Sequence, residues 1–284
     1  MLLSTQTCVS AREFGLAQAV KMIGEAGFDA ADISMFDDES NKWMFSDGFE
    51  PLVREVKQAA RETGILLNQA HAPFPTMKDG DAAFNEMRMA QVKRSIEIAG
   101  MLGVRCIVVH PVVFKKQMKA KNLAMYRELQ PVAQNAGVKI ALENMWGRDS
   151  RRNIICKNVC SDAEGLAEYH DALDPECFTV CLDIGHVGLV GDYEAQTIRK
   201  LGAKRLTCLH VHDTDYRNDL HTLPFCGRLP WQEIMAALGE IGYTGELTFE
   251  ADNFIGHTPK TLFPSALRYM HDVGRELIRM TGLE

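Results

Sequence analysis

Six apolar runs in this chain of 284 residues end on side chains that bind cations. QAHAPF carries His71, VVHPV carries His110 and ALENM carries Glu143. CLDIGHV supplies Asp183 and His186, LHVHDTD supplies His210, His212 and Asp213, and LTFEAD supplies Glu250. Imidazole and carboxylate are donors to divalent ions, so residues of these types delivered to one place form a ligand set. One histidine beside a strand is ordinarily a satisfied rim residue, and one glutamate there a solvated carboxylate. Six such endings together are not explained that way. Carboxylates buried side by side without a cation must take up protons or repel one another. The pattern predicts a divalent metal centre.

The elements that must position these groups are short apolar, β-branched runs at 2–7, 30–35, 64–69, 105–110, 138–144, 179–184, 206–212 and 246–250. Segments of helical period at 14–26, 52–63, 84–102, 119–136, 163–173, 193–201, 231–241 and 264–280 lie between and after them. Gly27, Gly64, Gly103, Gly137, Gly202 and Gly242 each stand where a helix gives way to a strand, the left-handed C-cap signal. Eight strand-helix units with buried strands fit an α/β fold, the (β/α)8 or TIM barrel. A doubly wound open sheet is expected to carry a glycine-rich phosphate loop after an early strand, and the sequence has none. No Pro/Ser-rich linker or charge block divides the chain, so residues 1–284 read as one domain. In such a barrel the reactive groups stand at the C-terminal strand ends, where all six motifs fall.

Composition narrows the partners. With 31 Lys+Arg against 38 Asp+Glu the net charge is −7, which speaks against a polyanion held by bulk electrostatics, and nucleic acid is not the expected partner. The 46% hydrophobic and 24% charged content is that of a globular protein. MLLSTQTCVSAREFG lacks the basic and apolar regions of a signal peptide, and no window is apolar enough for a membrane span. Cytoplasmic localisation with reduced thiols is expected for the eight cysteines. Cys156 and Cys160 have no second pair at zinc-finger spacing and read as loop cysteines.

HAPF, VVHP, LEN, DIGH, HVHD with a following histidine, glycine and LPW, and TFEAD, in this order, resemble the xylose isomerase-like TIM barrels. That superfamily holds sugar and sugar-phosphate isomerases and epimerases, inosose dehydratases and endonuclease IV. The likeness runs over roughly residues 64–254. It implies one divalent ion (manganese, magnesium, cobalt or zinc) held by Glu143, Asp183, His210 and Glu250. His210 rather than His212 matches the family's ligand, because it stands three residues before the acidic Asp213. The implied activity is an isomerase or epimerase of a sugar or sugar phosphate. Glu143 and Glu250 are then the acid/base pair for proton abstraction next to a carbonyl. His186, His71, His110 and His212 become candidate substrate contacts.

The same resemblance leaves other chemistry open. His71, His110, His186, Asp219 and His221 match additional ligands of an endonuclease IV-like site, which would hold up to three zinc ions and cleave phosphodiesters. An inosose-type dehydratase shares the first proton abstraction. Phe74 and Trp146 are candidate walls for a sugar ring. The loop WGRDSRRN carries Arg148, Arg151 and Arg152, which read either as a phosphate fork or as a solvated basic loop. The stretches 34–50 and 114–122 are expected at the rim. Oligomeric state stays open, a homo-oligomer included.

Overall fold

The structure is a computed structural model describing residues 1–36 and 39–283. The described residues form ten strands in chain order: β1 (Leu2–Gln6), β2 (Ala30–Ser34), β3 (Leu66–His71), β4 (Cys106–Val108), β5 (Lys139–Glu143), β6 (Trp146–Asp149), β7 (Ile154–Lys157), β8 (Phe178–Asp183), β9 (Leu206–His210) and β10 (Glu246–Phe249). All but β6 and β7 pair in parallel in the order β10-β1-β2-β3-β4-β5-β8-β9. The ring closes between β9 and β10 through Val211 N–H to the Thr248 carbonyl at 2.8 Å and Glu250 N–H to the Val211 carbonyl at 3.1 Å. Helices connect the strands, and the architecture is a (β/α)8 TIM barrel, as the sequence predicts. Among the described residues, no helix is long and apolar enough to cross a membrane.

The two faces of each strand explain why the metal-binding types collect at one end. Residues two apart on a strand share a face. Ile33, Ile107, Ile140, Leu142, Leu182 and Leu209 are fully buried in the large helix-facing core. The alternate residues Cys106, Val108, Ala141, Cys181 and Cys208 form a second, small apolar cluster. Continuing that face by steps of two leads from Val108 to His110, from Ala141 to Glu143, from Cys181 to Asp183 and from Cys208 to His210 and His212. Compact apolar side chains thus fill the floor, and the polar groups stand on the next level up.

Several elements depart from the sequence reading. The arginine-rich loop is an antiparallel hairpin, β6–β7, with Trp146 opposite Lys157 and Asp149 opposite Ile154. The segment expected at 14–26 is the helix Leu16–Glu25, and a helix not expected from the sequence, Cys8–Phe14, precedes it across Gly15, whose φ of 84° only glycine adopts readily. Gly202 is not a left-handed C-cap: it sits at φ 65°, ψ 163° inside the segment Glu194–Arg205, which carries the chain past the expected helix end. A short helix, Ile184–Leu189, starts directly after β8, and Asp183 caps it by accepting the His186 N–H at 2.7 Å. In the rim stretch 34–50, Glu39–Phe45 is a 3-10 helix, while Asp37 and Asp38 lie outside the described residues, as does Glu284.

The helix Met118–Ala136 holds the end of β4, and with it His110, in place. The Tyr126 hydroxyl donates to the Val109 carbonyl at 2.9 Å, and Asn122 both accepts the Val112 N–H (2.7 Å) and donates to the Val112 carbonyl (2.8 Å). Tyr126 is wholly buried, so its loss as a donor leaves a carbonyl that water does not reach. Tyr126→Phe is expected to lower stability by about 1–2 kcal/mol in urea unfolding. A change within error would show that Val109 finds another donor.

Candidate metal centre

Glu143, Asp183 and His210 are the last residues of β5, β8 and β9, and Glu250 follows β10 directly. They are 1%, 0%, 0% and 8% exposed. One ligand atom from each lies within 4.8 Å of all the others. Donors at about 2.0–2.2 Å from one ion stand no more than about 4.4 Å apart, so these four need only small adjustments to meet an ion. Three carboxylates and an imidazole are a donor set for a divalent cation.

Around this group the charges are paired. His210 Nδ1 is 2.7 Å from Glu143 Oε1 and 3.2 Å from Glu250 Oε2, and His110 Nε2 is 2.5 Å from Glu143 Oε2. Burial raises the proton affinity of Glu143, but His210 and His110 outweigh it and hold the carboxyl well below the usual range. Asp183 is likewise pushed up by burial and, more strongly, pulled down by His186 and His212. Glu250 goes the other way: burial dominates over the opposing effect of His210 and His221 and lifts it to about 8. Burial would strip protons from the imidazoles, and in His71 it prevails. In His186 the opposing effect of Asp183 and Asp219 prevails and raises it to about 10. Without an ion the cluster neutralises itself with protons, and those protons are what a cation would displace.

Two further groups flank the first. His71, His110 and Glu143 converge, with Glu143 common to both groups. His186, His212, Asp219 and His221 form the other. Asp183 leans toward it, 3.1 Å from His212 Nε2. The sequence treats His212 as a substrate contact; the structure buries it completely, its ring stacked 4.1 Å from that of His221. Gly185 makes room for it, since a Cβ there would lie 2.0 Å from His212 Cε1. Asp219 Oδ2 accepts the Trp146 indole N–H at 3.0 Å, and its Oδ1 is buried without a hydrogen-bond partner.

The imidazoles share an orientation. His71, His186, His212 and His221 each turn Nδ1 to a backbone carbonyl, those of Ala72 (2.8 Å), Asn144 (2.9 Å), Asp213 (3.3 Å) and Glu250 (3.0 Å). With Nδ1 donating to a carbonyl, Nε2 is the nitrogen turned inward, and in all four it faces a neighbouring carboxylate; an ion would take the place of any proton it carries.

Phe74 meets the His110 ring edge-on at 4.7 Å, and Trp146 reaches the site through Asp219. Arg148 does not join them. It is exposed, bonded to Asn153 at 2.8 Å and lying 5.9 Å over the Trp146 ring, while Arg151 and Arg152 are exposed at the hairpin tip. Sequence reasoning missed Asn144, Gln6, Asp32 and Gln69. Asn144 brackets the β8 end, donating to the Asp183 carbonyl (2.9 Å) and accepting the Asp183 N–H (2.7 Å). The readable signal was a polar side chain inside otherwise apolar strand segments such as AADIS.

Asp213 organises the loop that carries Asp219 and His221. Its carboxylate accepts from the backbone N–H of Thr214 (2.8 Å), Phe225 (3.0 Å), Arg228 (2.9 Å) and Leu229 (3.1 Å) and from the Trp231 indole N–H (2.8 Å). Removing a buried acceptor leaves its donors unpaid for in water or protein. Asp213→Ala is expected to cost about 3 kcal/mol or more in thermal unfolding and to open 214–230 to proteolysis. A loss below about 1 kcal/mol would mean that the loop is held elsewhere.

Comparison with known proteins agrees with this architecture. An uncharacterized protein of Methanocaldococcus jannaschii is 28% identical over 251 residues, spanning 84% of this chain and 80% of that protein. A D-psicose 3-epimerase of Ruminiclostridium cellulolyticum is 24% identical over 243 residues, 81% and 76% of the two chains. Among solved structures, a D-tagatose 3-epimerase-like protein superimposes with a TM-score of 0.78 at 19% identity, covering 99% of this chain and 98% of that one. A D-psicose 3-epimerase with D-tagatose from Clostridium cellulolyticum H10 gives 0.76 at 19% identity, covering 98% and 99%. The family model described as xylose isomerase-like TIM barrel matches residues 20–273, and the chain belongs to that family.

Proposed function

We propose that this protein is a divalent-metal-dependent epimerase of small ketose sugars, with Glu143 and Glu250 as its acid/base pair. The observation that carries the reading is the convergence of Glu143, Asp183, His210 and Glu250 within 4.8 Å at the barrel mouth. Relatives named as D-psicose 3-epimerases support the sugar class. The hairpin arginines are exposed, with Arg148 bonded to Asn153, and lend no support to a phosphate fork, which favours an unphosphorylated substrate.

An ion in this site would polarise the substrate carbonyl and offset the negative charge that develops on its oxygen when the neighbouring proton leaves. The protein's own groups divide the proton transfer. Glu143 and Glu250 come from strands on different sides of the ring, and both approach His210 Nδ1. In the metal-free site His110 and His210 hold Glu143 ionised, the state a base requires, whereas burial keeps a proton on Glu250 until a cation displaces it. One group removes the proton from one face of the carbon and the other delivers a proton to the opposite face, which inverts the centre. In this reading His186 would offer Nε2 to a substrate oxygen, and Phe74 would wall the ring.

A second reading, a zinc phosphodiesterase with up to three ions, is favoured by the two flanking groups and by the partnerless Asp219 oxygen. Elemental analysis separates the two readings. About one ion per chain with ketose epimerisation supports the first; about three zinc ions with incision of an abasic duplex supports the second.

Glu143→Gln and Glu250→Gln are each expected to slow solvent-deuterium exchange into a turned-over ketose by about 100-fold or more. Full exchange in either variant removes that residue from the proton transfer. Because Glu250 is raised to about 8, a cation must displace its proton. Manganese binding should therefore tighten as pH rises toward 8 and release protons in a weakly buffered titration. Affinity that does not vary over that range would remove Glu250 from the ligand set.

A further inference from the structure

His210 is oriented differently from the imidazoles around it. Its Nδ1 faces Glu143 and Glu250, so Nε2 is the anchored nitrogen. Nε2 meets side chains and not a backbone carbonyl. The Gln69 amide nitrogen, a donor, lies 2.9 Å from it and also donates to Asp32 Oδ2 at 2.8 Å, while Asp32 Oδ2, an acceptor, is 3.5 Å away. Gln6, on the neighbouring strand, donates to Glu250 Oε1 at 3.0 Å.

Strand register puts the three residues side by side. Gln6 pairs with Asp32 across β1 and β2, and Asp32 pairs with Gln69 across β2 and β3. They are 6%, 0% and 0% exposed, so they make a buried polar shelf against the metal-ligand level. Asp32 is the anomaly in it. A carboxylate inside a barrel is costly unless paired, yet among the described residues its Oδ1 has no hydrogen-bond partner and its Oδ2 is met by one amide and the edge of His210. An imidazole bound to a cation through Nδ1 carries its proton on Nε2, and that proton needs an acceptor.

We propose that Asp32, steadied by Gln69, is the positioning residue that fixes the ring and tautomer of His210. Gln6 does the corresponding work for Glu250 by holding Oε1, so that Oε2 faces the centre. The proposal rests on the metal reading given above. It assigns to β1–β3, which donate no member of the four-residue ligand set, the task of aiming two ligands from β9 and β10. When the ring carries its proton on Nε2, the Gln69 amide donates to Asp32 alone and keeps Oδ2 beside the ring.

The test uses the full chain, stripped with a chelator and titrated with Mn²⁺, with free ion read by electron paramagnetic resonance. The binding class that disappears in His210→Ala defines the site. Asp32→Asn is expected to weaken that class about 10–100-fold. The thermal midpoint of the metal-free protein should be unchanged or higher, because a poorly compensated buried charge has gone. Gln69→Met and Gln6→Met should each weaken binding several-fold, and Gln69→Met carries the test if Asp32→Asn does not fold. Unchanged Mn²⁺ affinity in Asp32→Asn, or in Gln69→Met where that variant stands in, would overturn the proposal and leave the metal reading intact. A lowered midpoint with unchanged affinity would assign Asp32 a structural role instead. Failure of the unsubstituted chain to bind Mn²⁺ would overturn both.

Discussion

Charge burial governs this barrel mouth. Glu143, Asp183 and Glu250, with Asp32 beside them, stand where water scarcely reaches, and each must be neutralised by something. In the chain alone that something is imidazole and the proton. The neutralisation is uneven: Glu143 has His110 and His210 at hydrogen-bond distance, while Glu250 has less and keeps its proton to higher pH. Two chemically identical side chains acquire opposite tendencies from their neighbours, the asymmetry on which acid/base pairs depend. The rest of the fold serves to hold these charges at close quarters.

Most of that holding is done by backbone. Four histidines are oriented by carbonyl groups belonging to the very loops that carry the site, so ring direction follows from chain path. Asp213 reverses the roles, with one side chain gathering five N–H groups and shaping the path of the chain itself. His110 and His210 are not held this way, and His210 is oriented by side chains from strands far away in sequence.

The barrel and the polar rim were legible because both obey short-range rules. A buried parallel strand writes itself as an apolar run, and the step of two along it carries small residues to the floor and ligand types to the mouth, as in Cys208, His210 and His212. Hairpin β6–β7 was not legible: WGRDSRRN has neither alternation nor a strong turn dipeptide. Nor were Gln6, Asp32 and Gln69. Each looks like an isolated polar residue, and only the cross-strand register reveals them as neighbours. The helix Cys8–Phe14 was also missed, being seven residues long and too short for a periodicity count.

The ring of strands is joined least completely where β9 meets β10, by the two backbone bonds through Val211. His210 and Glu250 stand on opposite sides of that seam. An ion gripped by both would act as a rivet across the weakest joint of the cylinder, so that catalytic competence and the mechanical integrity of the wall would be gained or lost in a single event.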